Sequence, residues 1–155
     1  MDHAQPPITS PRDQAVDPPH YAHILLAEDD REMRSLIAAQ LRDDGHHVIE
    51  TQDGMQLIRA ATRFEAAMLP FDLLITDIRM PGWSGLEALD HLRRAGMALP
   101  VIVMTAFGDA RLHALAKDLG AAVVLDKPFD LDALRVAVAK LLRRPAPEPL
   151  SAATS

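Results

Sequence analysis

Short apolar runs alternate with longer amphipathic stretches along residues 22–144. His23-Ile24-Leu25-Leu26-Ala27 is compact, apolar and followed by acids, which fits a buried strand better than a helix. Asp29 or Asp30 can cap the next segment, a helix whose apolar face reads as Met33, Leu36, Ile37 and Leu41 and which Gly45 stops. His47-Val48-Ile49-Glu50 is a second strand. After Asp53-Gly54 comes a helix carrying Met55, Ile58, Ala61 and Met68, with Pro70 expected to end it. Leu73-Leu74-Ile75-Thr76 is a third strand, and Met80-Pro81-Gly82 a turn. Leu86, Leu89 and Leu92 then recur at helical spacing up to Gly96. Val101-Ile102-Val103-Met104 is largely β-branched and uncharged, as a central parallel strand should be. Leu112, Leu115, Ala116 and Leu119 mark a fourth helix, stopped by Gly120. Ala122-Val123-Val124-Leu125 is a fifth strand, and Leu131, Leu134, Val138, Leu141 and Leu142 face the core from a fifth helix.

This (βα)5 order predicts an α/β fold. Right-handed crossovers force such a chain into a doubly wound parallel sheet with helices on both faces. The two ends break the pattern. Pro6, Pro7, Pro11, Pro18 and Pro19 interrupt residues 1–21, expected to be a flexible extension, and Pro145, Pro147 and Pro149 punctuate a flexible tail over 145–155. The folded domain is therefore expected over 22–144.

Composition adds exclusions rather than identity. The length of 155 residues suits one domain, and the net charge of −6 argues against broad electrostatic binding of nucleic acid or an anionic membrane. With no cysteine, disulfides and Cys-ligated zinc are excluded. No apolar run approaches the roughly 20 residues that span a bilayer. The first residues do not read as a signal peptide, so a cytoplasmic location is expected.

Chemistry gathers where the strands end. Parallel strands share one C-terminal edge, and ligands bind there in this architecture. Glu28-Asp29, Asp77, Thr105 and Lys127 close the first, third, fourth and fifth strands. Two carboxylates about 4 Å apart repel by roughly 4 kcal/mol at an effective dielectric near 20, so such a cluster calls for a cation or a proton. An oxygen-only donor set with few protein ligands suits Mg²⁺ more than Ca²⁺. Carboxylates, a divalent cation and a lysine together make a clamp for a phosphoryl group, and Asp77, on the central strand, is the best nucleophile.

Four segments carry a resemblance. Ile24-Leu25-Leu26-Ala27-Glu28-Asp29-Asp30, Asp72-Leu73-Leu74-Ile75-Thr76-Asp77-Ile78-Arg79-Met80-Pro81-Gly82, Val101-Ile102-Val103-Met104-Thr105-Ala106 and Asp126-Lys127-Pro128-Phe129 resemble, in order and spacing, the receiver domain of response regulators in two-component signalling. The resemblance covers about residues 23–143 and implies a flavodoxin-like sheet of strand order 2-1-3-4-5. It further implies that Asp77 takes a phosphoryl group from a sensor histidine kinase, a histidine phosphotransfer protein or a small donor such as acetyl phosphate. Asp29 and Asp77 would bind Mg²⁺, Glu28 would act mainly through a metal-bound water, and the backbone carbonyl of Arg79 would add a ligand. Thr105 and Lys127 would bond the phosphoryl oxygens, Ala106 would leave them room, and Lys127-Pro128 would be cis. Phe107 and Arg79 would flank the pocket and influence the lifetime of the phosphoryl group.

One departure stands out. Most receivers carry an aromatic ring three residues before the lysine; here that position is Val124. Signalling is therefore expected to rest on loop and helix shifts around Thr105 to Leu115. The stretch from Asp53-Gly54 to Asp77 is also a few residues longer than common.

The remaining polar features read as structural. His46, His47, His91 and His113 show no metal-ligand spacing, and Arg93-Arg94 and Arg143-Arg144 read as solvated or helix-terminal charges. Asp126 should point away from the site, because strand neighbours alternate faces. Trp83, six residues past Asp77, should report on the pocket.

Only 13 residues follow Leu142, so the leading expectation is a stand-alone receiver. It would be monomeric or dimerise on phosphorylation, and would act on a downstream protein through its fourth helix, fifth strand and fifth helix. The alternative is the receiver of a larger transcriptional regulator that lacks its output domain. A turnover phosphohydrolase is disfavoured, since Arg79 stands where a second aspartate would be. The chain is expected to catalyse only its own phosphorylation and dephosphorylation.

Overall fold

The computed structural model describes residues 22–106, 109–142 and 150. The expected extensions other than Leu150, together with Arg143-Arg144 and Phe107, lie outside the described residues. Five strands and five helices alternate: β1 (His23–Ala27), α1 (Arg31–Asp43), β2 (His47–Thr51), α2 (Gly54–Ala66), β3 (Leu73–Asp77), α3 (Gly85–Arg94), β4 (Val101–Ala106), α4 (Ala110–Asp118), β5 (Val123–Lys127) and α5 (Leu131–Leu141). The strands form one sheet in the order β2-β1-β3-β4-β5, and every pair is parallel. The expected doubly wound α/β architecture is thus present.

Two apolar layers hold the sheet. Leu25, Leu74 and Val103 face α2, α3 and α4, where Leu57, Leu89, Leu92 and Ala116 complete one core. Ile24, Leu26, Ile75 and Ile102 face the other way, against Ile37 and Leu41 of α1 and Leu134 and Val138 of α5. The central strand β3 is buried at all five positions, which its uninterrupted apolar run requires.

Several sequence expectations shift. Asp30, rather than Asp29, caps α1, accepting from the Met33 N–H at 2.9 Å. The buried stripe of α1 is Ile37, Ala38 and Leu41, and Leu36 is exposed. At 100° per residue Leu36 lies outside the arc those three define. In α2, Met55 is also exposed. That helix ends at Ala66, well before Pro70: Met68 adopts φ 59° and its neighbour Leu69 donates to Phe64 at 2.9 Å, a left-handed stop that leaves Met68 86% exposed. Leu115 in α4 faces solvent as well. Strand β5 starts at Val123, one residue later than the apolar run suggests.

Of the two readings of Arg93, the helix-terminal one holds, and the residue is a structural clamp. Its guanidinium donates to four carbonyls, those of Met97 at 2.9 Å, Leu99 at 2.8 Å, Leu119 at 3.1 Å and Gly120 at 3.2 Å. It thereby ties the end of α3 to the turn after α4. Arg135, nearly buried in α5, pairs with Asp44 at 2.8 Å and so fastens α5 to the end of α1.

Candidate functional site

The site is built from the ends of β1, β3 and β5. Beyond β1 the chain is pinned to β2: Glu28 N–H donates to the Thr51 carbonyl at 3.1 Å, and the Thr51 hydroxyl donates to Leu26 at 2.9 Å. Arg34, one turn into α1, donates to the Glu28 carbonyl at 2.8 Å. These bonds hold a fully buried glutamate side chain at the sheet edge. Asp77 is the last residue of β3 and is nearly buried. Its backbone is crowded by α3. A Cβ on Gly85 would sit 2.0 Å from the Asp77 carbonyl oxygen, so only glycine lets the helix start this close.

Lys127 joins the two acids. Its ammonium donates to Glu28 Oε2 at 2.9 Å and to Asp77 Oδ2 at 3.2 Å. Asp29 is exposed, yet Glu28, Asp29 and Asp77 each present a carboxylate oxygen within 4.8 Å of the others. Asp29 and Arg79 border an open hollow of about 520 Å³ together with Pro81 and Leu112. The Lys127-Pro128 peptide is cis.

Burial raises the pKa of Glu28, against the pull of the Lys127 hydrogen bond, and the Asp77 charge adds to the rise. Burial likewise raises Asp77, while Lys127 and the Arg79 N–H hold it back. For Lys127 burial works downward, but its bonds to Glu28 and its attraction to Asp77 outweigh it and hold the pKa above the ordinary value. One ammonium therefore serves three clustered carboxylates. The surplus is negative, its donors are all oxygens, and it opens on a hollow, which fits a hard divalent cation.

The structure thus brings Glu28, Asp29, Asp77 and Lys127 together. Thr105, the last residue but one of β4, is buried and directs its hydroxyl to the carbonyl of its neighbour Ala106 at 3.4 Å, with no hydrogen bond to Asp77 or Lys127 among the described residues. Trp83 lies edge-on to His91, centroids 5.5 Å apart, and not among the residues bordering the hollow. Gly85, Thr51 and Arg34 were not legible as site supports. Asp126 does turn away from the carboxylates, as alternation requires, and meets His113 of α4 at 2.6 Å.

A flavodoxin-like sheet with clustered acids and a lysine at its C-terminal edge defines a class of signalling domains. The chain belongs to the response regulator receiver domain family, which matches residues 24–139. Among curated proteins it is 41% identical over 121 residues to "Response regulator protein PmrA" of Pseudomonas aeruginosa, covering 78% of this chain and 52% of that one. It is 31% identical to "Sporulation initiation phosphotransferase F" of Bacillus subtilis, over 77% of this chain and 92% of that protein. A solved receiver domain from Clostridium thermocellum superposes with a TM-score of 0.70 at 28% identity, covering 79% of this chain and 94% of that one. The chain spans about half the length of several curated relatives it matches. No helix among the described residues is long and apolar enough to cross a membrane.

Proposed function

We propose that this receiver accepts a phosphoryl group on Asp77 and passes the event on as a change in protein contacts. The observation that carries the reading is the Lys127 ammonium held between Glu28 and Asp77, with Asp29 in the same cluster. The donor is a phosphohistidine on a sensor kinase or phosphotransfer protein, or acetyl phosphate. An Asp77 carboxylate oxygen attacks phosphorus, and the P–N bond of the phosphohistidine breaks. The donor imidazole leaves with that electron pair. Lys127 neutralises the phosphoryl oxygens, and the Thr105 hydroxyl turns from Ala106 to donate to one of them. Asp29, Asp77 and the Arg79 carbonyl, with Glu28 through water, would hold Mg²⁺, which when bound offsets the charge of the attacking and transferring oxygens. Water attack on the acyl phosphate later restores Asp77. The chain turns over no other substrate in this reading, and it works in the cytoplasm, as a monomer or a phosphorylation-dependent dimer. Its downstream partner is a protein that reads the α4-β5-α5 face.

A second reading, the receiver part of a larger transcriptional regulator, is favoured by matched relatives named as transcriptional regulatory proteins, of which the match covers only 58% and 48%. Intact mass after adding acetyl phosphate, with and without Mg²⁺, tests the chemistry. A gain of one phosphoryl group in the wild type, dependent on Mg²⁺ and absent from Asp77→Asn, is expected. Equal labelling of Asp77→Asn overturns the assignment.

A further inference from the structure

Val124, Asp126, Val103 and Thr105 form a single patch. Val103 pairs with Val124 and Thr105 with Asp126 across β4 and β5, and alternation puts all four side chains on the face that α4 covers. An aromatic at position 124 would fill this patch with a ring; valine leaves it shallow. What crosses it is polar. His113 Nε2, on the first turn of α4, lies 2.6 Å from Asp126 Oδ1, both side chains about one-third exposed. Asp126 is thus the strand neighbour of Thr105 on one side and the anchor of α4 on the other.

That anchor matters because α4 is thinly packed: Leu112 and Leu119 are only partly buried against the core, and Arg93 holds the far end of the helix through the Leu119 carbonyl. Ala116 is its one buried residue, and Leu115 points to solvent. Every residue of β5 is only half-buried. Such a helix has a low cost of local opening, so one polar link sets much of its position. The pair is within hydrogen-bond distance, with the donor role set by the ring tautomer.

We propose that the His113–Asp126 bond is a clasp that holds α4 against β5 in the unphosphorylated protein, and that its release accompanies phosphoryl acceptance. The proposal rests on Asp77 being the acceptor. Thr105 pairs in register with Asp126 across β4 and β5, so a Thr105 that turns toward a phosphoryl group does so directly beside the clasp. Clasped and released positions of α4 are then two states, and the clasp biases the protein toward the first. Removing it favours the released state and speeds phosphorylation by any small donor. His113 and Asp126 are positioning residues: they touch no reacting atom.

The test uses His113→Ala, Asp126→Asn, the double variant, and His113→Lys, which restores a donor to Asp126. Two readouts are needed: the Mg²⁺-dependent phosphorylation rate with acetyl phosphate, and amide hydrogen exchange along α1 and α4. Each single variant is expected to phosphorylate two- to fivefold faster and to exchange the α4 amides at least threefold faster, with α1 unchanged. The double variant should match the singles rather than multiply them, because both remove one bond. His113→Lys should return toward wild type. Multiplicative effects in the double variant, or equal acceleration of exchange in α1, overturn the clasp in favour of general destabilisation. Faster α4 exchange with an unchanged phosphorylation rate overturns its control of the site. A wild type that gains no phosphoryl group defeats the acceptor reading, and the clasp's control role with it; unchanged α4 exchange defeats the clasp alone.

Discussion

The two ends of the β3-β4-β5 half-sheet are built differently. Strand β3 is buried throughout, and α3 beside it buries Gly85, Leu86, Ala88, Leu89 and Leu92 behind a reciprocal capping box of Ser84 and Glu87. Strand β5 is half-buried throughout, and α4 buries Ala116 alone. The same alternation of strand and helix thus produces one region that resists displacement and one that yields. An acceptor carboxylate needs the first kind of support, since a small misplacement costs reactivity. A surface that must change on demand needs the second. In the proposed reading the two jobs fall on opposite sides of β4.

The largest expected effect attacks the rigid side. In Gly85→Ala the new methyl would meet the Asp77 carbonyl oxygen, the Thr76 hydroxyl and the Asp77 carbonyl carbon, at 2.0, 2.9 and 3.0 Å. Backbone cannot retreat as a side-chain tip can, so about 3 kcal/mol of stability should be lost. Urea unfolding would show it as a lower midpoint at unchanged slope, and Asp77 phosphorylation should fall at least tenfold, by about 1.4 kcal/mol of barrier or more. A midpoint within error of wild type would mean that α3 is as movable as α4.

Next comes the tie between the two regions. Arg93→Ala removes bonds to Met97, Leu99, Leu119 and Gly120. Burial lowers the Arg93 pKa, which marks a guanidinium that has lost water and depends on those carbonyls. The loss should be about 2 kcal/mol, with amide exchange rising around Gly120 more than around Leu89. A uniform rise would mean that the clamp stabilises the whole domain rather than the junction.

The contrast also explains what the sequence could and could not disclose. Runs such as Leu73 to Thr76 announce their strands because burial on both faces leaves no room for polar residues. Once the strands are parallel, their terminal residues must share an edge, so Glu28, Asp29, Asp77 and Lys127 were legible as neighbours before any coordinates. Helix faces were less legible. Leu36, Met55 and Leu115 fit a loose apolar period, but which arc meets the sheet is fixed by packing against other elements. Arg93 was legible as a helix-terminal charge, but its clamp was not, because its partners are carbonyls, which carry no sequence signal. The same holds for His113 and Asp126: each reads as an ordinary surface residue until the α4–β5 turn brings them together. Gly85 was silent for another reason. Its role is to omit an atom, and only the distance to Asp77 reveals it.

A smaller effect concerns charge on the rigid side. Burial holds the carboxyl groups of Glu28 and Asp77 above their ordinary pKa values, so the folded site binds protons more readily than the unfolded chain. Their favourable contribution is complete below the unfolded carboxyl values, near 4, and is lost as pH rises through the raised folded-state values. Ionisation of either group therefore strains the fold. Asp77→Asn should raise the melting temperature at pH 7 relative to wild type, and the advantage should shrink as pH falls toward 4. Mg²⁺ should stabilise the wild type more than the variant. A difference that is flat with pH would show that the Lys127 bonds already cancel the burial cost.

The smallest effect is expected on the yielding side, where a leucine can be removed almost without consequence. Leu115 is 46% exposed, whereas Leu92, at the same kind of helical position in α3, is 1% exposed. Leu115→Ser should change unfolding free energy by no more than about 0.5 kcal/mol, against the 2–5 kcal/mol of a typical buried leucine truncation. If a partner reads the α4-β5-α5 face, the same substitution should weaken that contact while leaving acetyl phosphate labelling of Asp77 unchanged, because Leu115 is exposed and belongs to neither apolar core. Equal losses in labelling and binding would show that α4 is coupled to the acceptor more tightly than its sparse burial allows. The rigid and yielding regions would then have to be treated as one.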